Sequence, residues 1–309
     1  MRRTDWIMLW TLSLLWGGSF LFVELALAGL PPISVVWGRV ALASVILWVV
    51  LLVSGTAAPP RGMWPALIVM GFLNNAVPFT LFVLAQGQIT GALASVLNAT
   101  TPLFTVLVAH LATADERVTG VKAMGVGLGF AGVLVMMLGQ GLGAGLDGSG
   151  LAMLACLGAA LSYAFAGVWG RRFRAAGLPA LATACGQVTA STALMTPFWL
   201  LHDQPWNMGW PGVGPVLAVA GLAVLSTALA YLLFFRILAS AGSTAVSLVT
   251  FLIPLSAAGL GWLVLGERLE LRHLAGLAFI LGGLALIQRD GGRDGGRRGQ
   301  SPQSDRPQS

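Results

Sequence analysis

The side chains in this sequence that could do chemistry are hydroxyls and amides set at regular intervals inside long apolar runs. Between Gly91 and Glu116 the chain reads GALASVLNATTPLFTVLVAHLATADE, and Ser95, Asn98, Thr101 and Thr105 recur at helical spacing, so they share one face. The pattern returns 152 residues later in STAVSLVTFLIPLSAAGLGWLVLGE, from Ser243 to Glu267, where Ser243, Ser247 and Thr250 share a face. The first stripe is crossed by Pro102 and the second ends at Pro254. The missing N–H there leaves the carbonyl of Asn98 or Thr250 without its helical partner and kinks the segment. Neutral donors and acceptors in a kinked, widened spot suit a polar solute held by hydrogen bonds. The competing reading is helix-to-helix hydrogen bonding, with the prolines setting shape alone.

Other polar and aromatic residues recur at matching places. Asn74-Asn75 stands 152 residues before Ser226-Thr227, and Trp16 corresponds to Tyr163. Neighbours on a regular α-helix point in different directions, so one residue of each polar pair is expected to face a cavity. Trp16 and Tyr163 read either as pocket walls or as core packing. Charges in apolar runs are few. Glu24 and Arg39 are expected to form a structural ion pair that lowers the burial cost of both. The sharper alternative for Glu24 is proton coupling, with His110 as a second candidate against a plain interfacial role.

Several chemistries lack their residues. No GxxxxGK[ST], HExxH, GxSxG or CxxC pattern occurs, and Lys122 is the one lysine. No enzyme activity, ATP motor, metal or cofactor is therefore expected. Cys156 and Cys185 lie in apolar runs and read as structural thiols.

The elements that must hold these residues are membrane spans. Soluble domains carry about 25% charged residues; this 309-residue chain carries 9%, is 57% hydrophobic and has a mean hydropathy of +0.85. The basic residues are spread over loops, which excludes a nucleic-acid surface in spite of a pI near 10.6. The expected partners are the lipid bilayer and a small-molecule substrate. Runs of about 20 apolar residues place ten transmembrane helices, at 5–27, 33–53, 64–86, 92–112, 119–140, 150–170, 179–201, 211–236, 243–265 and 271–288.

The fold expected is an all-α integral membrane protein. A first five-helix repeat occupies 1–140, a linker 141–149 and a second five-helix repeat 150–288, followed by a disordered tail at 289–309. An odd number of spans per repeat makes the second copy enter from the opposite side, the inverted arrangement of secondary transporters. With the N-terminus inside, fourteen of the seventeen basic residues lie inside, Arg268 and Arg272 lie outside, and Arg39 falls within a span. By the positive-inside rule both termini are cytoplasmic. Glycines at 125, 129, 132, 276, 282 and 283 permit close packing of the two last spans, within one chain or across a homodimer.

The residues also carry a family likeness. LLWGGSF at 14–20, Trp37-Gly38-Arg39, NNAVPFTLF at 74–82, LNATTPLFTVL at 97–107 and LIPL with LGERL within 252–269 resemble the EamA-like, ten-helix members of the drug/metabolite transporter superfamily. The likeness covers residues 5–288. It implies a central cavity between the halves, alternating access, residence in the cell (inner) membrane, and export of metabolites or amino acids, with some members importing. It does not carry a substrate over. The chain is thus expected to be a secondary transporter, foremost an exporter of small metabolites such as amino acids. The expected binding residues are Trp16, Asn74, Asn75, Asn98, Thr101, Tyr163, Ser226, Thr227, Ser247 and Thr250, in a mostly neutral site. The alternatives are a multidrug exporter and a non-transporting polytopic protein.

Overall fold

A computed structural model of the chain describes residues 3–112, 118–138 and 148–298; of residues 138, 243–245, 247 and 290–298 it describes the backbone alone. Among the described residues the regular structure is entirely helical. The first half contains α1 (Arg3–Leu27), α2 (Pro32–Val53), α3 (Arg61–Gln86), α4 (Gly91–Ala112) and α5 (Gly120–Leu138). The second contains α6 (Gly148–Ala175), α7 (Ala180–Phe198), α8 (Val213–Gly242), α9 (Leu248–Leu265) and α10 (Leu271–Arg298).

Nine of the described helices are long and apolar enough to cross a membrane. The tenth, α7, has 19 residues, and Thr183, Gln187, Thr189, Ser191, Thr192 and Thr196 lower its hydropathy. It packs within the bundle, where Gln187 and Ser191 are buried. The linker residues 141–147, the Asp115-Glu116-Arg117 segment and residues 299–309 lie outside the described residues; the backbone of α10 stays helical past Arg289 to Arg298.

Local chemistry sets the boundaries. Pro32 opens α2 with its ring at the first helical position, where no N–H is needed. Thr90 caps α4 by accepting from the Leu93 amide at 3.2 Å. Gly242 separates α8 from α9 with φ +80° and ψ 178°, a conformation that side chains oppose.

The helices pack in symmetric pairs. α1 lies against α8 and α9, and in the mirrored arrangement α6 lies against α3 and α4. α2 packs on α7, α3 on α7 and α2 on α8, so these four helices form the centre. α5 packs on α10 within the one chain. A Cβ on Gly125 would sit 2.6 Å from the Gly283 carbonyl oxygen, and one on Gly132 would sit 2.5 Å from that of Gly276. These contacts resolve the choice left open by the glycine pattern, because the small-residue face is used inside the monomer. Large apolar side chains such as Ile7, Leu52, Leu111 and Leu263 stay exposed on the outer surface, where a bilayer would cover them.

Candidate functional site

α3 and α8 each open into a π turn at the same place in their repeats, Phe72–Ala76 and Val224–Leu229. Such bulges occur often at functional sites, because they re-aim side chains and loosen the backbone ladder. The first holds Asn74 and Asn75, the second Ser226 and Thr227. Both bulges are pinned by a serine hydroxyl across a helix pair. Ser162 of α6 donates to the Leu73 carbonyl at 2.7 Å, and Ser226 of α8 donates to the Leu15 carbonyl at 2.7 Å.

The polar side chains of α2, α3, α7 and α8 then converge. The amides of Asn74 and Asn75 both donate to the Tyr231 hydroxyl, at 3.2 and 3.0 Å, and Asn74 also reaches Gln187 Oε1 at 3.4 Å. Arg39 Nε donates to Thr227 Oγ1 at 2.9 Å, and that hydroxyl in turn donates to the Leu222 carbonyl at 2.8 Å. The Arg39 guanidinium lies over the Phe79 ring, 3.6 Å from its centroid, a favourable cation–π contact. Tyr163 and Tyr231, the two tyrosines of the chain, stand within electrostatic reach of Arg39. Tyr163 packs against both hydrophobic clusters of the bundle, so it sits on the seam between them.

Other expected site residues lie elsewhere. Asn98 and Thr101 flank a break in α4 at Ala99-Thr100, where the Thr101 hydroxyl donates to the Asn98 carbonyl at 2.8 Å. The carbonyl that Pro102 leaves unpaired is thus satisfied locally. Thr250 is half-buried on α9, which runs through Pro254 without a break. The side chain of Ser247 lies outside the described residues. Ser226 ties α8 to α1, and Trp16 packs on Phe234 with centroids 5.7 Å apart. His110 is exposed in the last turn of α4, and its Nδ1 accepts from the Val118 amide at 3.3 Å.

The expected Glu24–Arg39 pair does not form. The Glu24 carboxyl meets that of Glu267, from the α9–α10 loop, at the N-terminus of α4. The Gly91 amide donates to Glu267 Oε1 at 3.0 Å and lies 3.4 Å from Glu24 Oε2, while the Ala92 amide donates to Glu267 Oε2 at 3.2 Å. Free amides and the helix dipole draw carboxylates to this end, and Arg39 faces the other way, into the centre. A cavity of ≈ 370 Å³ opens beside Glu267, lined by Ala92, Ala258, Trp262, Arg268 and Leu269.

The EamA-like transporter family matches this chain twice, over residues 5–138 and 150–289. The chain belongs to that family. Its relatives include the uncharacterized inner membrane transporter YedA of Escherichia coli (strain K12), 24% identical over 282 residues that cover 90% of this chain and 89% of YedA. The S-adenosylmethionine/S-adenosylhomocysteine transporter of Chlamydia trachomatis serovar L2 is 27% identical over 92% of this chain and 88% of its own length. A protein known from a crystal structure superposes with a TM-score of 0.66 at 21% identity, covering 97% of this chain and all of that one, so the fold is shared.

In this EamA-family chain, sequence reasoning missed Tyr231 and Phe79 and gave Arg39 the wrong partner. Two signals were present. Gln187 is the repeat counterpart of Arg39, and tyrosine occurs only twice in the chain. The cluster also departs from the neutral site expected, since it is centred on a guanidinium.

Proposed function

We propose that this chain is a secondary transporter that exports small polar metabolites such as amino acids, by alternating access around the cluster of Arg39, Asn74, Tyr231 and Thr227. The observation that carries the reading is how the cluster is built. Two helices of each half meet there, two of them opened by matching π turns, in a member of a transporter family. Rocking one half against the other would expose such a site to each side in turn. Rejection of lipophilic cations by a central guanidinium argues against the multidrug alternative. The named solutes of the Chlamydia relative contain an amino-acid group, in keeping with the class proposed.

The driving gradient is proposed to be protons, acting at Glu24 beside Glu267. A proton taken up there removes the repulsion between two carboxylates drawn to one amide. Residence in the inner membrane with both termini cytoplasmic is supported by the loop charges and by the membrane named for YedA. One chain contains the whole cluster, so a homodimer would use a surface other than the α5–α10 seam.

Metabolite profiling of cells and medium tests the reading, comparing the intact chain with an Asn74→Leu/Thr227→Val chain at equal membrane abundance. Compounds that accumulate outside only with the intact chain are the expected result. Depletion from the medium would reverse the direction. No change, with the protein in the membrane, would overturn transport.

A further inference from the structure

A guanidinium inside a membrane protein is costly unless an anion or several acceptors meet it. Arg39 is 8% exposed. Among the described residues no carboxylate lies within 4.0 Å of it. The described carboxylates are engaged elsewhere. Asp5 accepts from Ser240, Asp203 from Ser34, Glu270 pairs with Arg272, and Glu24 and Glu267 meet at α4. Only one edge of the guanidinium is used, through Nε to Thr227. Its two terminal nitrogens have no described acceptor, and neither is among the sealed, unsatisfied polar atoms, so both keep contact with water-sized space.

The side chain is held as well as unpaired. Thr227 receives Nε at 2.9 Å and is itself fixed by its bond to the Leu222 carbonyl, across the π turn of α8. Phe79 supports the flat face at 3.6 Å. What remains is a fork of two parallel N–H groups, the geometry that takes a carboxylate through two hydrogen bonds. Among the described residues the groups that act on its charge are the hydroxyls of Tyr163 and Tyr231, and Tyr231 is tied in turn to the Asn74 amide. One cation among neutral donors balances a single negative charge rather than a diphosphate.

We infer that Arg39 is the specificity-determining anchor for a carboxylate group on the transported solute. The inference rests on the transport reading above and names the chemical class that reading leaves open. Thr227 is the positioning residue that keeps the fork aimed. Substrate carboxylate replaces the missing counter-ion, so loading the site relieves the cost of the buried charge.

The test profiles solutes displaced by the intact chain, by Arg39→Gln and by Arg39→Lys at matched membrane abundance, and then the amide of the strongest displaced solute. Arg39→Gln places at 39 the residue that the other half carries at Gln187, so folding is expected to survive. Every displaced solute should carry a carboxylate, and the amide should not move. Arg39→Gln should lower displacement about tenfold or more, the effect of losing a charge-assisted pair, and Arg39→Lys should retain part of it. Displaced solutes with no anionic group, solutes that are phosphates without a carboxylate, or unchanged selection in Arg39→Gln would each overturn the anchor. A fall in unfolding temperature with unchanged preference for acid over amide would show a structural role only. If the intact chain displaces nothing, the transport reading itself fails, a result distinct from all of these.

Discussion

The third helix of each half opens at the same point, yet the two openings are furnished differently. In α3 the turn carries Asn74 and Asn75 and is followed by Pro78; in α8 it carries Ser226 and Thr227, and Ala230 stands where the proline would be. The second bulge therefore persists without a proline to disrupt its ladder. The shared frame is held by the serine bonds across helix pairs, and the chemistry is assigned by side chains that have diverged. The same division holds in the second helices, where Arg39 of α2 bonds Thr227 while its counterpart Gln187 of α7 bonds Asn74. It holds again in the first helices, where Glu24 corresponds in the repeat to Arg171. A symmetric scaffold thus carries an asymmetric set of charges.

Four changes would break or sharpen this comparison. The largest effect is expected where the halves touch backbone to backbone. Gly283→Leu should cost about 1–3 kcal/mol or more by overpacking and deplete folded protein, read as unfolding temperature in detergent. Gly127→Leu on the facing helix has open space around its Cβ position and should be silent. Glu24→Gln comes next, because the repeat counterpart of Glu24 is Arg171 and the change leaves Glu267 as the one acid at the start of α4. Solute accumulation driven by a pH gradient should be lost while solute exchange continues; pH-driven accumulation that survives would remove Glu24 from coupling. Tyr231→Phe takes the shared acceptor from two amides, and should cost about 1–3 kcal/mol and slow transport about tenfold. An unchanged unfolding temperature would mean that Asn74 and Asn75 find other partners. The smallest effect is expected for Pro78→Ala, which makes α3 like α8 at this position. Stability should move by less than about 1 kcal/mol and transport should persist; collapse of either would show that the first bulge, unlike the second, depends on its proline.

Much of the frame was legible in the sequence because hydropathy and duplication are local signals. Even α7, whose threonines and Gln187 dilute its hydropathy, was legible as an apolar run at 179–201. The centre of the site was less legible, for reasons that particular residues show. Asn74 and Asn75 should diverge on a regular helix, but the π turn brings both amides to Tyr231. Arg39 and Glu24 are close in sequence and opposite in charge, yet their partners, Thr227 and Glu267, lie in the other half, where only tertiary packing could place them.

The α5–α10 seam has one further consequence. Where Gly125 faces Gly283 and Gly132 faces Gly276, backbone meets backbone, and Met136, Phe279 and Ile287 close over the same glycines. Interlocked side chains would have to leave one set of notches and find another before the helices could slide. This seam keeps only a few such teeth, Met136, Phe279 and Ile287, each seated over a glycine of the opposite helix. The fit is close enough that none of its four glycines admits a larger residue unless a neighbouring side chain or the backbone shifts.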